Sequence, residues 1–326
     1  MAKITIRDVA QAAGVSVSTV SQVFNSYPGI SKATKERVFS VAQELGYTPN
    51  IAARNLSVKK KRTIALVLNE INVTPGVARP LELLTGVSET LDATDYDFVF
   101  YATNRKKQVQ KSLQQFFNEQ NLAGLIIQGL ATDEPYYKEL ATLDLPVVAI
   151  DLSIDNPRLG QVSIDNEAAS QEVTRRLIDA GYERLVFLNG SKNAAVSKSR
   201  EKGFQSVAPK DAQVFYANFS ENEAFEWAVK FDKWDTVDAV FAASDLMAIG
   251  VLKGLKEIGC QKMPAIVGFD DVTLARYVTP TLTTVRQDAW EIARQATENL
   301  IQQIETGEVK REKLDYQLII RESAII

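Results

Sequence analysis

The sequence predicts a small all-α head joined to a two-lobed α/β body whose parallel sheets are flanked by helices. Three observations carry this expectation. Three short amphipathic segments occupy residues 6–45, and from Thr63 onward brief apolar runs alternate with helical ones. The charge is also divided: residues 1–62 hold ten Lys/Arg against Asp8, Glu36 and Glu44, a net of +7, while the remainder holds 27 basic and 38 acidic residues, a net of −11. That polarity points to a polyanionic partner for the head alone.

With 326 residues, 45% of them hydrophobic and 24% charged, the chain can bury more than one core. Its first fifteen residues place Arg7, Asp8 and Gln11 where a signal peptide would need apolar side chains, and no later apolar run approaches the ~18 residues of a membrane span. A cytoplasmic protein with no membrane partner is expected. The single cysteine, Cys260, excludes a disulfide framework and reads as a small hydrophobe near a helix end. Histidine is absent, which removes the commonest general base and the usual zinc sites. No metal or cofactor site is expected.

In the head, Ile6 to Ala13 forms an amphipathic helix with Thr5 as N-cap, Gly14 breaks it, and Ser16 caps a second helix over Val17 to Phe24. On a 100° wheel Val20, Val23 and Phe24 share one side, with Ser18, Ser21, Gln22 and Asn25 opposite. A third helix begins at Ser31 or Thr34 and runs to about Leu45. Helix, glycine turn and helix fit a helix-turn-helix, although a plain three-helix bundle has the same pattern. The outward face of the second helix decides between them. Small hydroxyl and amide groups permit close approach to the major groove, whereas a merely solvated face carries more Lys and Glu.

The run VKKKR at 58–62 reads equally well as a solvated linker, and only its place beside the head gives it weight. Beyond it, strands are expected at TIALVL, DFVFYA, GLIIQ, PVVAI, 161–164, RLVFLN, QVFYA, DAVFAA, AIVGF, 282–286 and 314–320. The intervening helices are expected at 81–92, 108–119, 134–142, 167–180, 200–207, 221–230, 245–258 and 288–305. So many strands exceed one small sheet, hence two lobes, and ligands of such sheets bind at the carboxyl ends of the strands. The body lacks a GxGxxG after a strand, a Walker loop and a GxSxG elbow, so no enzyme is expected.

The segment TIRDVAQAAGVSVSTVSQVFN, followed by ELGYTPN and ARNL, resembles the bacterial lactose/galactose repressor (LacI/GalR) family. The likeness continues through RxxGF at Arg200–Phe204, ASDLMAIG, VGFDD, PTLTTVRQD and LIIRES. The resemblance implies a transcriptional repressor that binds double-stranded operator DNA as a homodimer and senses a small effector, a sugar or sugar phosphate, in a periplasmic-binding-protein-like core. It implies a DNA-binding domain over 1–48, a hinge helix and linker over 49–62, and a core over 63–326. Lobe 1 would take 63–160 and 288–319, and lobe 2 161–287 and 320–326.

By the same resemblance Val17, Ser18 and Gln22 read bases; Ser16, Thr19, Asn25, Tyr47 and Asn50 hold the backbone, with Thr5 and Ser31 beside them. Gln22 stands where many members have Arg, which shifts the expected preference from guanine toward adenine. In the hinge, Ala53 and Leu56 share a face, and Leu56 would wedge into the minor groove. Asp151, Arg200, Phe219 and Asp270 would contact the effector, with Ser244 a weaker candidate; strand-end caps, a surface ion pair and a core aromatic are the structural alternatives. After Ile320 only RESAII remains, with no heptads, so a dimer rather than a tetramer is expected. A global regulator of the catabolite-control type, using a phosphorylated protein co-repressor, is the alternative reading.

Overall fold

The computed structural model describes residues 4–24, 29–47, 61–69 and 79–326, and the chain divides into two compact units, Met1–Lys61 and Arg62–Ile326. The expected hinge helix, with Asn50, Ala53 and Leu56, lies outside the described residues, as does Asn25.

The first unit contains α1 (Ile6–Ala13), α2 (Val17–Phe24) and α3 (Lys32–Glu44). The amide and hydroxyl of Thr5 both donate to the Asp8 carboxylate at 2.7 Å, closing the first turn of α1. Gly14 ends that helix at φ +63°, and the Val15 amide reaches back to the Ala10 carbonyl. Ser16 accepts the Thr19 amide to start α2, and Ser31 accepts the Thr34 amide to start α3. Val9, Ala13, Val20, Val23 and Val38 form the buried core. Phe24 closes it edge-on against Phe39, with Tyr47 beside it.

In the second unit, β1 (Thr63–Asn69), β2 (Asp97–Thr103), β3 (Leu122–Gln128), β4 (Val147–Ile150), β5 (Gly160–Ile164) and β11 (Arg311–Leu314) build one sheet in the order β11-β5-β4-β3-β1-β2, parallel throughout. Around it lie α4 (Arg79–Leu91), α5 (Arg105–Gln110), α6 (Leu113–Glu119), α7 (Pro135–Leu140) and the long α12 (Ala289–Thr306). The other sheet orders β12-β10-β9-β8-β6-β7 from β6 (Leu185–Asn189), β7 (Gln213–Tyr216), β8 (Ala239–Ala242), β9 (Ala265–Asp270), β10 (Thr283–Arg286) and β12 (Gln317–Ile319). Its helices are α8 (Asn166–Asp179), α9 (Ala195–Gln205), α10 (Glu221–Lys230) and α11 (Asp245–Glu257). Every residue of β3 before Gln128, and all of β4, β6 and β8, is buried, as strands covered on both faces require.

Several expected boundaries move. Lobe 1 was expected to give way to lobe 2 at 160/161, but β5 inserts between β4 and β11 and belongs to the first sheet, so the chain crosses after Ile164. The expected strand at 314–320 is two strands. Asp315 and Tyr316 separate β11 of the first sheet from β12, which runs antiparallel along β10 of the second; the return crossing therefore precedes 317 rather than following 319. The helix expected at 108–119 breaks at Lys111, because Ser112 caps a new helix by accepting the Gln115 amide.

Close packing of α10 on α11 depends on Gly250, where a Cβ would lie 2.2 Å from the Glu221 carbonyl oxygen. Gly250→Ala gains about 1 kcal/mol of helix propensity but forces backbone apart, a change of about 1–3 kcal/mol in the other direction. The overpacking wins, so the variant unfolds at lower denaturant concentration than wild type.

Candidate functional site

The functional side chains of the body sit where its strands end. Asn69 closes β1, Gln128 closes β3, Asp151 follows β4, Phe219 follows β7, Ser244 follows β8, Asp270 closes β9 and Gln287 follows β10. All seven line one cavity of about 500 Å³ between the two sheets, together with Arg79, Arg200 and the apolar Leu68, Leu83 and Leu130. All five effector contacts expected from the sequence are therefore brought together.

Two carboxylates, one from each lobe, are joined by a guanidinium. Arg79 donates through Nη2 to Asp151 Oδ2 at 3.3 Å and through Nη1 to Asp270 Oδ1 at 3.2 Å. Asp151 also accepts from Ser163 Oγ at 2.7 Å and Gln128 Nε2 at 3.3 Å, and Asp270 from Gln287 Nε2 at 2.6 Å. Neither acid is a helix cap. Both hold positive φ, +57° at Asp151 and +116° at Asp270, as do Asn218 and Phe219 at +48° and +56°. Non-glycine residues in that region store local strain, and here they cluster around one cavity.

Arg200 is not a surface ion pair. It is 3% exposed, its Nε donates to Asn166 Oδ1 at 2.8 Å, its Nη1 to the Ala243 carbonyl at 2.5 Å, and its guanidinium lies 3.6 Å from the Phe269 ring centre. Burial pushes its pKa down to about 10, against the pull of Asp270 and Asp151, so it stays a cation at neutral pH. Asn166 in turn donates to Ser163 Oγ at 3.1 Å, and Ser163 to Asp151. A hydrogen-bonded chain thus runs from Arg200 in the second lobe to Asp151 in the first, beside the crossing at 164–166. Further links are the bridge between Ala131 and Ala194, the Thr132 amide on the Asn193 carbonyl at 2.8 Å, and Lys198 Nζ on Thr132 Oγ1 at 3.0 Å.

Phe219 lies against Gly190, where any Cβ would meet its ring at 2.1 Å. Its ring lines the cavity and packs against the hydrophobic core behind it. Ser244 is 4% exposed and accepts the Met247 amide as N-cap of α11, so its oxygen already has a structural partner. Behind the cavity, burial raises the Asp245 carboxyl well above its ordinary range, with Asp270 adding to the effect, while Thr284 and the Val272 amide donate to it. The sequence reading passed over Arg79, Gln128, Ser163 and Gln287. Arg79 is the last residue but one of NEINVTPGVARP, a loop expected to contribute to the site but without a motif to assign roles inside it, and Gln287 lies inside PTLTTVRQD without a pattern of its own; only the polar residue ending the apolar run LIIQ carried a local signal.

In the head, Val17 is 42% exposed, and Ser16, Ser18 and Gln22 are exposed with it along α2. Ser16 Oγ lies 2.8 Å from both Ser18 Oγ and Thr19 Oγ1, so the start of α2 is a cluster of hydroxyls. No residue in the first turn of α2 is acidic. A helix N-terminus of this kind favours phosphate, and the uncharged face beyond it suits base edges.

Comparison with known proteins agrees with this division. Residues 5–50 match the family described as bacterial regulatory proteins, lacI family, and residues 174–324 match the periplasmic binding protein-like domain. The HTH-type transcriptional regulator CelR of Thermobifida fusca is 32% identical, with 98% of each chain covered. The ribose operon repressor of Halalkalibacterium halodurans is 31% identical over 98% of this chain and 96% of its own. Among solved structures, a CelR–cellobiose complex matches with a TM-score of 0.73 at 29% identity, covering 98% of this chain and 100% of that one. The Lac repressor dimer bound to operator and the anti-inducer ONPF matches in fold with a TM-score of 0.85 at 22% identity, covering 99% of each.

Beside Asp270, the Asp271 side chain is 1% exposed and paired with Arg321 at 2.5 Å, Arg286 at 2.7 Å and Arg276 at 3.3 Å. Burial raises its pKa, but the bonds from Arg321 and Arg286 outweigh it and hold the carboxyl below its ordinary 3.8. A depressed acid contributes stability above its unfolded pKa and loses it as pH falls through the folded one. Asp271→Asn is therefore less stable than wild type at pH 7, and denaturant titrations from pH 6 down to about 3 find its stability falling less steeply.

Proposed function

The chain belongs to the lacI family of bacterial regulatory proteins, and we propose that within it the protein is a cytoplasmic repressor of sugar-utilisation genes, with a carbohydrate held between its lobes setting operator affinity. The observation that carries this reading is the convergence of Asp151, Arg200, Phe219 and Asp270 on one cavity. Carboxylates accept sugar hydroxyls, the arginine donates, and the aromatic ring covers the apolar face of a pyranose. The solved cellobiose complex of CelR makes a short glycan the first effector to try.

On the DNA side, Val17, Ser18 and Gln22 face base edges, and Ser16, Thr19, Asn25, Ser31, Tyr47 and Asn50 hold phosphates, with Thr5 shaping the turn beside them. Affinity comes from the +7 head through counterion release, which leaves α2 free to discriminate. Ala53 and Leu56 belong to a hinge that folds only when a dimer holds two copies over the operator, since an isolated helix of that length is marginal in water. The exposed Leu81, Phe100 and Val109 support a homodimer mated through the lobe that the chain enters at Arg62.

A thermal-shift screen of mono- and disaccharides, followed by operator binding with each hit, tests the sensor. A sugar at about 100 times its Kd stabilises the body by about 2.7 kcal/mol, and the same sugar changes operator affinity; a screen in which no carbohydrate does both contradicts the reading. Selection from random DNA tests the reader. Gln22→Arg loses about 1–3 kcal/mol on the selected site and regains it when one adenine pair becomes guanine. Leu56→Ala binds the operator more weakly and bends it less in a gel-mobility assay.

A further inference from the structure

Among the described residues the cavity is lined by two guanidiniums and two carboxylates, a formal charge of zero, and both cations are already engaged. Arg79 spends its two terminal nitrogens on Asp151 and Asp270. Arg200 spends Nε on Asn166 and Nη1 on the Ala243 carbonyl, with the Phe269 ring across its face. Gln287 also lines the cavity and is 4% exposed; its Oε1 is itself buried and has no hydrogen-bond partner among the described residues. Its Nε2 is committed to Asp270, so the amide cannot turn to offer a donor without losing that bond.

From this, and resting on the carbohydrate reading above, we infer that the site selects uncharged sugars over sugar phosphates and sugar acids, and that Arg79 is the residue that sets the selection. A phosphate brings acceptor oxygens and up to two negative charges, with no donor to give. Seated here it would face the carboxylates of Asp151 and Asp270. Arg200 offers it only Nη2, since Nε and Nη1 are engaged, so to gain a full ion pair it would have to take Arg79 away from two acids, leaving those acids buried and unpaired. A sugar hydroxyl donates, so it meets the remaining lone pairs of the carboxylates without disturbing the charge balance. Arg79 neutralises the acids while filling only part of the cavity, and the wall made by Phe219 on Gly190 receives the uncharged ring.

The test is a calorimetric titration of the full chain with matched sets: glucose, glucose 6-phosphate and glucuronate; ribose and ribose 5-phosphate; cellobiose and its 6-phosphate. In any set that binds, the neutral sugar is tighter by at least about tenfold, the scale expected when a charge enters a low-dielectric site unpaired. In Arg79→Gln the cavity carries a surplus negative charge. The affinity ratio of glucosamine to glucose, measured near pH 6 where the amine is a cation, then rises by about tenfold or more, and Arg79→Lys keeps the wild-type ratio. A phosphate or uronate that binds as tightly as its neutral parent overturns the inference and leaves a carbohydrate sensor standing. An unchanged glucosamine ratio in Arg79→Gln overturns the role of Arg79. If no member of any set binds, the carbohydrate reading itself fails and takes this inference with it.

Discussion

The organising constraint in the body is that Asp151 and Asp270, acids from different lobes, face one cleft and are shielded from mutual repulsion by Arg79. Their side chains are 10% and 16% exposed and that of Arg79 19%, so removing Arg79 leaves two acids with little solvent to stabilise them, at about 3–5 kcal/mol. Allosteric coupling between sites is worth about 1–3 kcal/mol. The ion bridge therefore exceeds what a ligand must modulate to act as a signal. The chain from Arg200 through Asn166 and Ser163 to Asp151 ties the same acid to the second lobe from the other side. A ligand that rearranges Asp151 perturbs both connections.

Those connections exist because every strand of the second sheet but β12, and every strand of the first, delivers its carboxyl end to one side. The backbone there leaves the strands in left-handed conformations at Asp151, Phe219 and Asp270. In the head the same economy of roles holds: Val20 and Val23 anchor α2 inside, which leaves Val17, Ser18 and Gln22 outside the core.

Most of this architecture is legible in the sequence, for identifiable reasons. Caps at Ser16 and Ser31, the break at Gly14 and the buried runs of β3, β4, β6 and β8 are local patterns, and local patterns survive folding. Asp151 and Asp270 were reachable because each ends or follows an apolar strand run, and Arg200 because RxxGF on α9 carries the family resemblance that implied all three roles. The lobe crossings were misplaced because partnership of a short strand is a non-local fact: nothing within GQVSI says that it pairs with residues 311–314. Arg79 escaped for the same reason. Its significance lies in acids 72 and 191 positions away, which no spacing rule connects.

The central claim is that cavity and operator are linked through the states of the body, and linkage is reciprocal. The most direct measurement is the affinity of one neutral sugar for the full-length protein, free and saturated with operator, beside operator affinity with and without that sugar. Both ratios are expected to differ from one and to equal each other. A sugar that binds equally well with and without operator would contradict it.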